Sequence, residues 1–327
     1  MKRIKCKTII EMRTIAERLT ALPFEWAKGL ARSIIILAGL MCSTSCSFNR
    51  QFLKPDIIPA NTTRARLAEA GADSIIVLFN PTNHQPVFTT NGTDILNLPF
   101  TIESVVFKSA NGNLLNGWFL KPKDVKPTVT LLHLHGNGGS LLTQYQAISP
   151  LTKYGFQIFV FDYSGFGFSE GKATTKNVLI DANSALNYLK AREDIRNTPI
   201  VIYGQSLGGH LAAVLASRKQ SEVDGLVLEG AFSSPKDIAA KQAGFIGRLL
   251  VRQRYSAVKS IEKYHKPVLI IHSTEDKTVP LEMGQKLFEH ANTPKSFYEI
   301  RKCHICGPQF YADSISTKIN NMIHTKV

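Results

Sequence analysis

Residues 201–210, which read VIYGQSLGGH, decide how the rest of this chain is interpreted. The apolar run at residues 199–203 is short, which predicts a buried strand. After it, Leu207 and Leu211 begin a pattern of apolar residues at helical spacing, which predicts a helix. Between the two lies the motif Gly-x-Ser-x-Gly, with Ser206 at its centre. The sequence therefore predicts a sharp strand-to-helix turn that carries a serine.

Such a turn has chemical consequences for its serine. The flanking Gly204 and Gly208 lack the Cβ atoms that would clash in so tight a turn. The turn lifts the serine oxygen out of the sheet and sets it at a helix N-terminus, where free N–H groups and the helix dipole favour a developing negative charge. A glycine-rich turn with a capping serine would have the same sequence, so other parts of the chain must distinguish the two.

From about residue 101 onward, predicted strands alternate with predicted helices. Residues 111–113, Asn-Gly-Asn, give a hairpin signal between the first two strands. The strands are predicted at residues 102–107, 115–120, 128–134, 157–161, 199–203, 225–229, 267–271 and 296–300, and the main helices at 141–154, 175–191 and 308–323. This alternation predicts a mostly parallel sheet with helices on both faces. Functional residues in such sheets gather at the carboxyl ends of the strands.

A serine nucleophile needs a base, and the base needs an acid that orients it. Among the nine histidines, His304 lies in a loop between the last predicted strand and the last helix, so it is the predicted base. Asp276, in the loop after the preceding strand, is the predicted acid; Glu229 is its rival and Glu275 a weaker one. The chain order Ser206, Asp276, His304 is typical of the architecture predicted above.

An oxyanion formed at the serine needs at least two fixed N–H donors. One is expected from Leu207, directly after the serine. The other is expected from the loop at residues 135–139, HGNGG, because a glycine-rich loop lets backbone amides approach a ligand closely. Asn137 is the predicted second donor, with Gly138 as the alternative.

Taken together, these stretches resemble the α/β-hydrolase superfamily, and in particular its small serine hydrolases with a minimal lid. The matching segments are HGNGG at residues 135–139, YSGFGFSEG at 163–171, GQSLG at 204–208, HSTEDKTVP at 272–280, and the late His304. The resemblance implies an α/β-hydrolase fold, with a mostly parallel central sheet, over residues 101–327. It also implies hydrolysis of carboxylic esters or thioesters through a Ser-His-Asp triad and an acyl-enzyme, without a metal or an organic cofactor.

The chain departs from the family pattern in its cap. Residues 233–266, where such enzymes insert a lid, form a short segment, so a small helical cap is expected. Its apolar residues are expected to face the site or a membrane; they are Phe245, Ile246, Leu249, Leu250 and Val251.

A second departure surrounds the base, where Cys303-His304-Ile305-Cys306 stands in place of the common Gly-His-Asn. A disulfide between Cys303 and Cys306 would restrain His304 and act as a redox switch. Two unconnected cysteines are the favoured interpretation, and two thiols alone make a poor metal site.

Residues 1–45 have the features of a secretory signal: a basic beginning, an apolar run at residues 33–42, and small residues after it. The apolar run is too short to span a bilayer as a helix. Cys46 follows the small residues as in a bacterial lipoprotein signal, although Ser43 stands where leucine is usual. Lipidation at Cys46, cleavage without lipidation and an uncleaved anchor all remain open, as does a start at Met12. Each predicts a location in the bacterial cell envelope.

Residues 46–100 are expected to form an extension that packs on the edge of the main domain, with a strand near residues 74–79. The formal net charge is +14, but no nucleic-acid motif accompanies it; a basic surface near an acidic membrane accounts for it. We expect a monomer that takes a small-molecule ester or thioester.

Two other classes of function fit the same residues. A peptidase or an acyltransferase would use the same triad, and a non-catalytic envelope lipoprotein would use the scaffold for binding. Labelling by a serine-directed probe separates the last class from the enzymes, and profiling of substrates separates the enzymes from one another.

Overall fold

The structure is a computed structural model, and it describes residues 53–67 and 74–324. The predicted signal at residues 1–45 and the predicted lipidation site Cys46 lie outside the described residues. The strands are β1 Lys54–Pro55, β2 Arg64–Leu67, β3 Ile75–Phe79, β4 Pro86–Thr90, β5 Asp94–Ile95, β6 Phe100–Lys108, β7 Leu114–Pro122, β8 Val129–Leu134, β9 Gly138–Gly139, β10 Phe156–Phe161, β11 Ile200–Gln205, β12 Gly225–Glu229, β13 Val268–Ser273 and β14 Lys295–Ile300. The helices are α1 Leu141–Gln144, α2 Asn177–Lys190, α3 Leu207–Arg218, α4 Pro235–Leu250, α5 Ala257–Ile261, α6 Leu281–His290 and α7 Gly307–His324.

The central sheet has eight strands in the order β14-β13-β12-β11-β8-β10-β7-β6. Six of them, from β14 to β10, run parallel, and β7 is antiparallel to both β10 and β6. Parallel neighbours need crossover connections, and the helices supply them. The predicted fold class, a mostly parallel sheet with helices on both faces, is confirmed.

The core lies on both faces of this sheet, because successive side chains of a strand point to opposite sides. In β8, Leu132 belongs to the cluster that packs under α2, α3 and α5, while Leu131 belongs to the cluster under α1 and α7. Every residue of β8 and β10 is buried. This double burial accounts for the mainly apolar composition of the two strands, in which Thr130, His133 and Gln157 are the polar residues.

One predicted helix is wrong in extent. The sequence predicts a helix over residues 141–154, but α1 ends at Gln144 and two short 3₁₀ segments, Tyr145–Ala147 and Ser149–Tyr154, follow. Pro150 stands at the start of the second segment. Proline has no N–H to donate and clashes with the carbonyl four residues earlier, so a continuous α-helix cannot pass through it.

The extension before the main domain forms a four-stranded antiparallel sheet in the order β2-β3-β4-β5. It lies against the main domain: the ring of Phe88 is 6.0 Å from that of Trp118, and Gln85 Nε2 donates to the carbonyl of Ile102 at 2.7 Å. The predicted strand near residues 74–79 is β3.

The cap after β12 is small, as expected, and consists of α4 and α5. Phe245, Ile246 and Leu249 are exposed, but Val251 is buried at 3% exposure, so it does not face a membrane; that it faces the site stays a prediction. Leu250 is only half-buried. Within the described residues, no helix combines the length and the apolar character needed to cross a membrane.

Candidate active site

Ser206 occupies the turn between β11 and α3, with φ 55° and ψ −114°. A positive φ is uncommon for any residue other than glycine and persists only where the surroundings enforce it. The N–H of Ser206 donates to the carbonyl of Glu229 on the neighbouring strand at 2.9 Å, and its own carbonyl accepts from the N–H of His210 in the helix at 3.1 Å. The sheet and the helix thus fix the turn from both sides.

The two glycines of the motif let the chain approach itself at this turn. A Cβ atom on Gly204 would lie 2.3 Å from the carbonyl oxygen of Gly208, and one on Gly208 would lie 1.8 Å from the carbonyl oxygen of Leu134. Both distances are far below van der Waals contact. The start of α3 therefore packs directly against the end of β8, and only glycine fits at either position.

The structure brings together the three residues that the sequence predicts as nucleophile, base and acid. His304 Nε2 lies 2.9 Å from Ser206 Oγ, and His304 Nδ1 lies 2.5 Å from Asp276 Oδ2. Each residue follows a different strand, β11, β13 or β14, at the carboxyl edge of the sheet. A base in contact with both hydroxyl and carboxylate can accept a proton from the former and be oriented by the latter.

The carboxylate of Asp276 is fully buried and fixed by its own loop. Its Oδ1 accepts from the N–H groups of Thr278 and Val279, each at 2.8 Å, which leaves Oδ2 facing His304. His272 Nε2 is also 3.5 Å from Oδ2, but it lies 2.9 Å from the carbonyl of Val279. Burial lowers the pKa of His272, which disfavours the charged form of this ring.

The two rival acids have other contacts. Glu275 accepts a hydrogen bond from the N–H of Lys302 at 3.2 Å. Glu229 is fully buried and accepts from Tyr203 Oη at 2.7 Å, from Gln205 Nε2 at 2.8 Å and from the N–H of Gly307 at 2.6 Å. Burial raises the pKa of Glu229, while these three donors act in the opposite sense.

Glu229 instead supports the loop at residues 301–307, which carries His304 and which we call the base loop. Through Gly307 it holds one end of this loop, and Gln205 Nε2 reaches the carbonyl of Ile305 at 3.3 Å. The next residue, Gly230, has φ 55°, and a Cβ there would lie 2.8 Å from the carbonyl oxygen of His304. The sequence suggested Glu229 only as a rival to Asp276. Its position at the end of a buried strand, directly before a glycine, was the signal that could have indicated its supporting role.

Cys303 and Cys306 are joined by a disulfide. The favoured interpretation of two unconnected cysteines is therefore wrong, because the turn of the base loop brings their Cα atoms to 5.7 Å. The bridge encloses His304 and Ile305 in a ring of the chain.

The loop at residues 135–139 lies beside the serine: a Cβ atom on Gly136 would be 3.8 Å from Ser206 Cβ. Two contacts orient its peptide groups. The carbonyl of Gly136 accepts from His135 Nδ1 at 2.9 Å, and the carbonyl of Asn137 accepts from the N–H of Lys54 at 2.7 Å. In a planar trans peptide the N–H points opposite to the carbonyl. The N–H groups of Asn137 and Gly138 therefore point away from these partners, and their part in an oxyanion hole, like that of Leu207, stays a prediction.

The segment at residues 53–58, which we call the strap, was missed by sequence reasoning. Its β1 pairs in parallel with β9 of the glycine loop, and Asp56 N–H donates to the carbonyl of Gly139 at 3.2 Å. Further along, the N–H of Ile58 donates to Gly167 at 2.9 Å, and the N–H of Gly167 donates back to Asp56 at 2.8 Å. The strap thus ties together two loops at the carboxyl edge of the sheet. It carries no motif that could have predicted this pairing.

Among residues 53–67 and 74–324, no group of three or more His, Cys, Asp or Glu side chains is placed to hold a metal ion.

Comparison with known proteins identifies the class to which this fold belongs. The sequence profile of the alpha/beta hydrolase fold family matches residues 129–255. The uncharacterized protein YfhR of Salmonella typhi is 36% identical over 211 residues, which cover 60% of this chain and 72% of that protein. The human alpha/beta hydrolase domain-containing protein 17B is 31% identical over 196 residues, which cover 59% of this chain and 65% of that protein. The chain belongs to the alpha/beta hydrolase fold family.

Solved structures agree on the fold. The esterase Pf2001 of Pyrococcus furiosus superposes with a TM-score of 0.56 at 19% identity, covering 68% of this chain and 91% of the esterase. Est1E of Butyrivibrio proteoclasticus, solved with ferulic acid, superposes with a TM-score of 0.57 at 19% identity. The match covers 67% of this chain and 99% of Est1E. The family and the fold together support a hydrolase.

Proposed function

We propose that this chain is a serine hydrolase that cleaves carboxylic esters or thioesters through an acyl-enzyme. The observation that carries the proposal is the continuous line of contacts from Ser206 Oγ to His304 Nε2 and from His304 Nδ1 to Asp276 Oδ2. A hydroxyl, an imidazole and a buried carboxylate in this order form the arrangement that activates a serine for attack on a carbonyl.

In the proposed mechanism, His304 takes the proton of Ser206 as the oxygen attacks the carbonyl carbon. The tetrahedral oxyanion is stabilised by the N–H of Leu207 and by that of Asn137 or Gly138. His304 then gives its proton to the leaving alcohol or thiol. A water molecule, deprotonated by the same imidazole, releases the acid and regenerates the serine. Asp276 orients the ring and stabilises its charged form throughout.

We further propose that the protein works in the bacterial cell envelope, tethered through its N-terminal segment. The basic start, the short apolar run and Cys46 support this proposal. Mass spectrometry of the protein isolated from its host tests it, because a lipid on Cys46, a cleaved N-terminus and an intact one differ in mass. An intact chain recovered from the soluble cytoplasmic fraction would contradict it.

The first test of the catalytic proposal is labelling of the full chain with a fluorophosphonate, followed by mapping of the adduct. We expect the adduct on Ser206 and its loss in Ser206→Ala and His304→Ala, whereas the exposed Ser221→Ala serves as a control that labels like the wild type. Replacing Ser206 should lower kcat on p-nitrophenyl esters by three or more orders of magnitude, as a rough guide.

A well-folded chain without an adduct would contradict the proposal and favour a binding role. If the adduct forms, turnover of p-nitrophenyl esters, acyl thioesters and acyl-peptide anilides distinguishes the esterase, thioesterase and peptidase classes. Preferential turnover of the anilides would replace the ester proposal with a peptidase.

A further inference from the structure

The cap helix α4 has a break in its middle. Ala243 and Gly244 leave the helical conformation, and Gly244 has φ 61° and ψ −155°. The part after the break, residues 245–250, we call the outer limb. Gly247 is its one buried residue: a Cβ there would lie 2.3 Å from the carbonyl oxygen of Ala239 and 2.9 Å from Cβ of Ala243. The outer limb therefore folds back onto the first part of the helix through a glycine.

The burial of the outer limb is the reverse of what its side chains favour in water. The residue with no side chain faces inward, while Phe245, Ile246 and Leu249 are exposed by 72%, 67% and 58%. A surface helix of a soluble domain normally turns its large apolar residues toward the core. Single exposed apolar residues need no explanation, but three large ones on one short limb indicate a surface that a membrane or another molecule covers.

The surroundings of the outer limb are positively charged. Residues 235–254 contain five exposed cations, Lys236, Lys241, Arg248, Arg252 and Arg254, and a single acid, Asp237. That acid is already engaged by Lys286 Nζ at 3.0 Å and by Arg248 at 3.3 Å. Within the part of the chain that the structure describes, Lys241, Arg252 and Arg254 have no ion-pair partner.

The positive surface continues beyond α4. A cavity of about 500 Å³ is lined by Arg254 together with Lys176, Arg218 and Lys219, and none of the described residues that line it is a carboxylate. Of these four cations, Lys219 alone has a carboxylate partner within residues 53–67 and 74–324, namely Glu222 at 2.9 Å. Arg254, which follows the outer limb closely in sequence, thus belongs both to the cations around the limb and to the lining of this cavity.

We propose that the outer limb docks on an anionic lipid surface, with Phe245, Ile246 and Leu249 inserted among the acyl chains and the surrounding cations on the headgroups. Aromatic and aliphatic side chains flanked by Lys and Arg are the combination that binds the interface of anionic bilayers. Because α4 follows β12, the limb lies on the segment that leaves the carboxyl edge of the sheet beside Ser206. The docking does not depend on the proposed hydrolase activity.

A tryptophan placed on the outer limb reports docking at that position, whatever the N-terminal segment does. The chain has two tryptophans, Trp26 and the buried Trp118. In the full chain with Trp26→Phe, Phe245→Trp is compared with Ile95→Trp, a matched control because Ile95 is exposed by 74% on β5 of the small sheet. The probes are vesicles of phosphatidylglycerol and phosphatidylcholine in equal parts, with and without a spin label on the acyl chains, and vesicles of phosphatidylcholine alone.

The expected result is a blue shift of Phe245→Trp emission with the mixed vesicles and quenching by the acyl-chain spin label. The response should weaken in neutral vesicles and at high salt, be absent in Ile95→Trp, and persist when Ser206→Ala is added. Lys241→Glu, Arg252→Glu and Arg254→Glu should each weaken the response roughly fivefold. Lys108→Glu, Lys123→Glu and Lys126→Glu, on other exposed parts of the chain, should not.

Two outcomes overturn the proposal. One is sedimentation of the chain with mixed vesicles while Phe245→Trp stays unquenched, since the limb would then be remote from the lipid. The other is an equal response in neutral and anionic vesicles, since the cations would then have no part in it. An acidic protein that shields Phe245→Trp while vesicles do not would assign the surface to a protein partner instead.

Discussion

The turn at Ser206 and the base loop meet across 2.9 Å, yet the chain fixes them by different means. The turn is held by the strand before it, the helix after it, and glycines two residues away on either side. The base loop is held by Glu229 and Gln205, which lie far from it in sequence, and by Asp276. A nucleophile can thus be specified by a few consecutive residues, whereas its base is placed by the assembled sheet.

The glycine loop at residues 135–139 resembles the base loop in this respect. The end of β8 supplies one side of it, but the strap, which lies far earlier in the chain, supplies the other. The site therefore contains one element whose conformation is encoded mainly by consecutive residues, although it also packs on Leu134 and bonds to Glu229, and two whose positions depend on remote contacts. Substitutions can separate the two kinds.

The largest effect is expected at the turn itself, from Gly208→Ala. A Cβ at this position would lie 1.8 Å from the backbone carbonyl oxygen of Leu134, which has no flexible side chain to move aside. We expect a loss of roughly 4 kcal/mol or more in the free energy of unfolding, or a failure to fold, measured by urea denaturation.

Gly112→Ala is the matched control for this loss. Gly112 has a positive φ, of 96°, which Gly208 does not, and within the described residues no atom lies within 4 Å of its Cβ position. It should therefore lose only about 1 kcal/mol. Equal losses in the two variants would show that close approach is not what requires glycine in the turn.

Glu229→Ala tests whether the base loop depends on its remote support. It removes the acceptor of the Gly307 N–H, leaves the buried Tyr203 Oη without its carboxylate partner and takes away one of the two acceptors of Gln205 Nε2. We expect kcat to fall roughly a hundredfold with KM little changed, because the imidazole is displaced while binding is retained. Steady-state kinetics measure this.

Glu229→Gln, which keeps one oxygen, should recover part of the rate. If Glu229→Ala and Glu229→Gln lost kcat equally, and reduced stability in urea accounted for that loss, Glu229 would instead have a purely structural role.

His210, in the first turn of α3, makes the support of the turn dependent on pH. Burial lowers the pKa of His210 from 6.5 to about 4, and its ring stacks on Phe232 at 4.6 Å. Below pH 6.5 the unfolded chain binds a proton that the folded chain does not, so the stability contributed by the neutral ring is lost as the pH falls toward 4. Relative to His210→Phe, the wild type should lose about 1.4 kcal/mol per pH unit in this window.

Urea midpoints of the two proteins from pH 7.5 to 5 measure this loss. A difference between them that stays constant with pH would contradict it.

Lys54→Pro tests the strap. It removes the N–H that donates to the carbonyl of Asn137 at 2.7 Å, whereas Lys54→Ala keeps that N–H and changes only the side chain. We expect kcat to fall roughly tenfold in Lys54→Pro, because the peptide groups of the glycine loop lose their orientation, and to stay near the wild-type value in Lys54→Ala. Equal rates in both variants would show that the strap covers the loop without orienting it.

The smallest effect is expected from the disulfide. Because Glu229, Gln205 and Asp276 also hold the base loop, the variant Cys303→Ser with Cys306→Ser should lose no more than about threefold in kcat. Activity of the wild type with and without dithiothreitol gives the same comparison. A loss of a hundredfold or more would show that the bridge controls His304 as a redox switch.

The features that could be predicted from the sequence are those that depend on residues close together in the chain. The strands, the sheet and the serine turn could be predicted because periodicity and glycine spacing are local properties. Asp276 and His304 were predicted from their positions in loops that follow strands, in agreement with the chain order, and the structure brings them together with Ser206. The pairing of the strap and the support from Glu229 could not be predicted, because each depends on residues that meet only after folding. The disulfide was misjudged, since spacing alone does not show how a loop turns.

The strap also has a consequence for the order in which the molecule becomes complete. Its pairing joins residues roughly eighty positions apart, and the entropy cost of closing so long a loop is met only when the sheet already presents the glycine loop. A molecule with a formed core but an undocked strap would be compact but less active than the complete one. On refolding from denaturant, the recovery of catalysis would therefore lag behind the burial of Trp118.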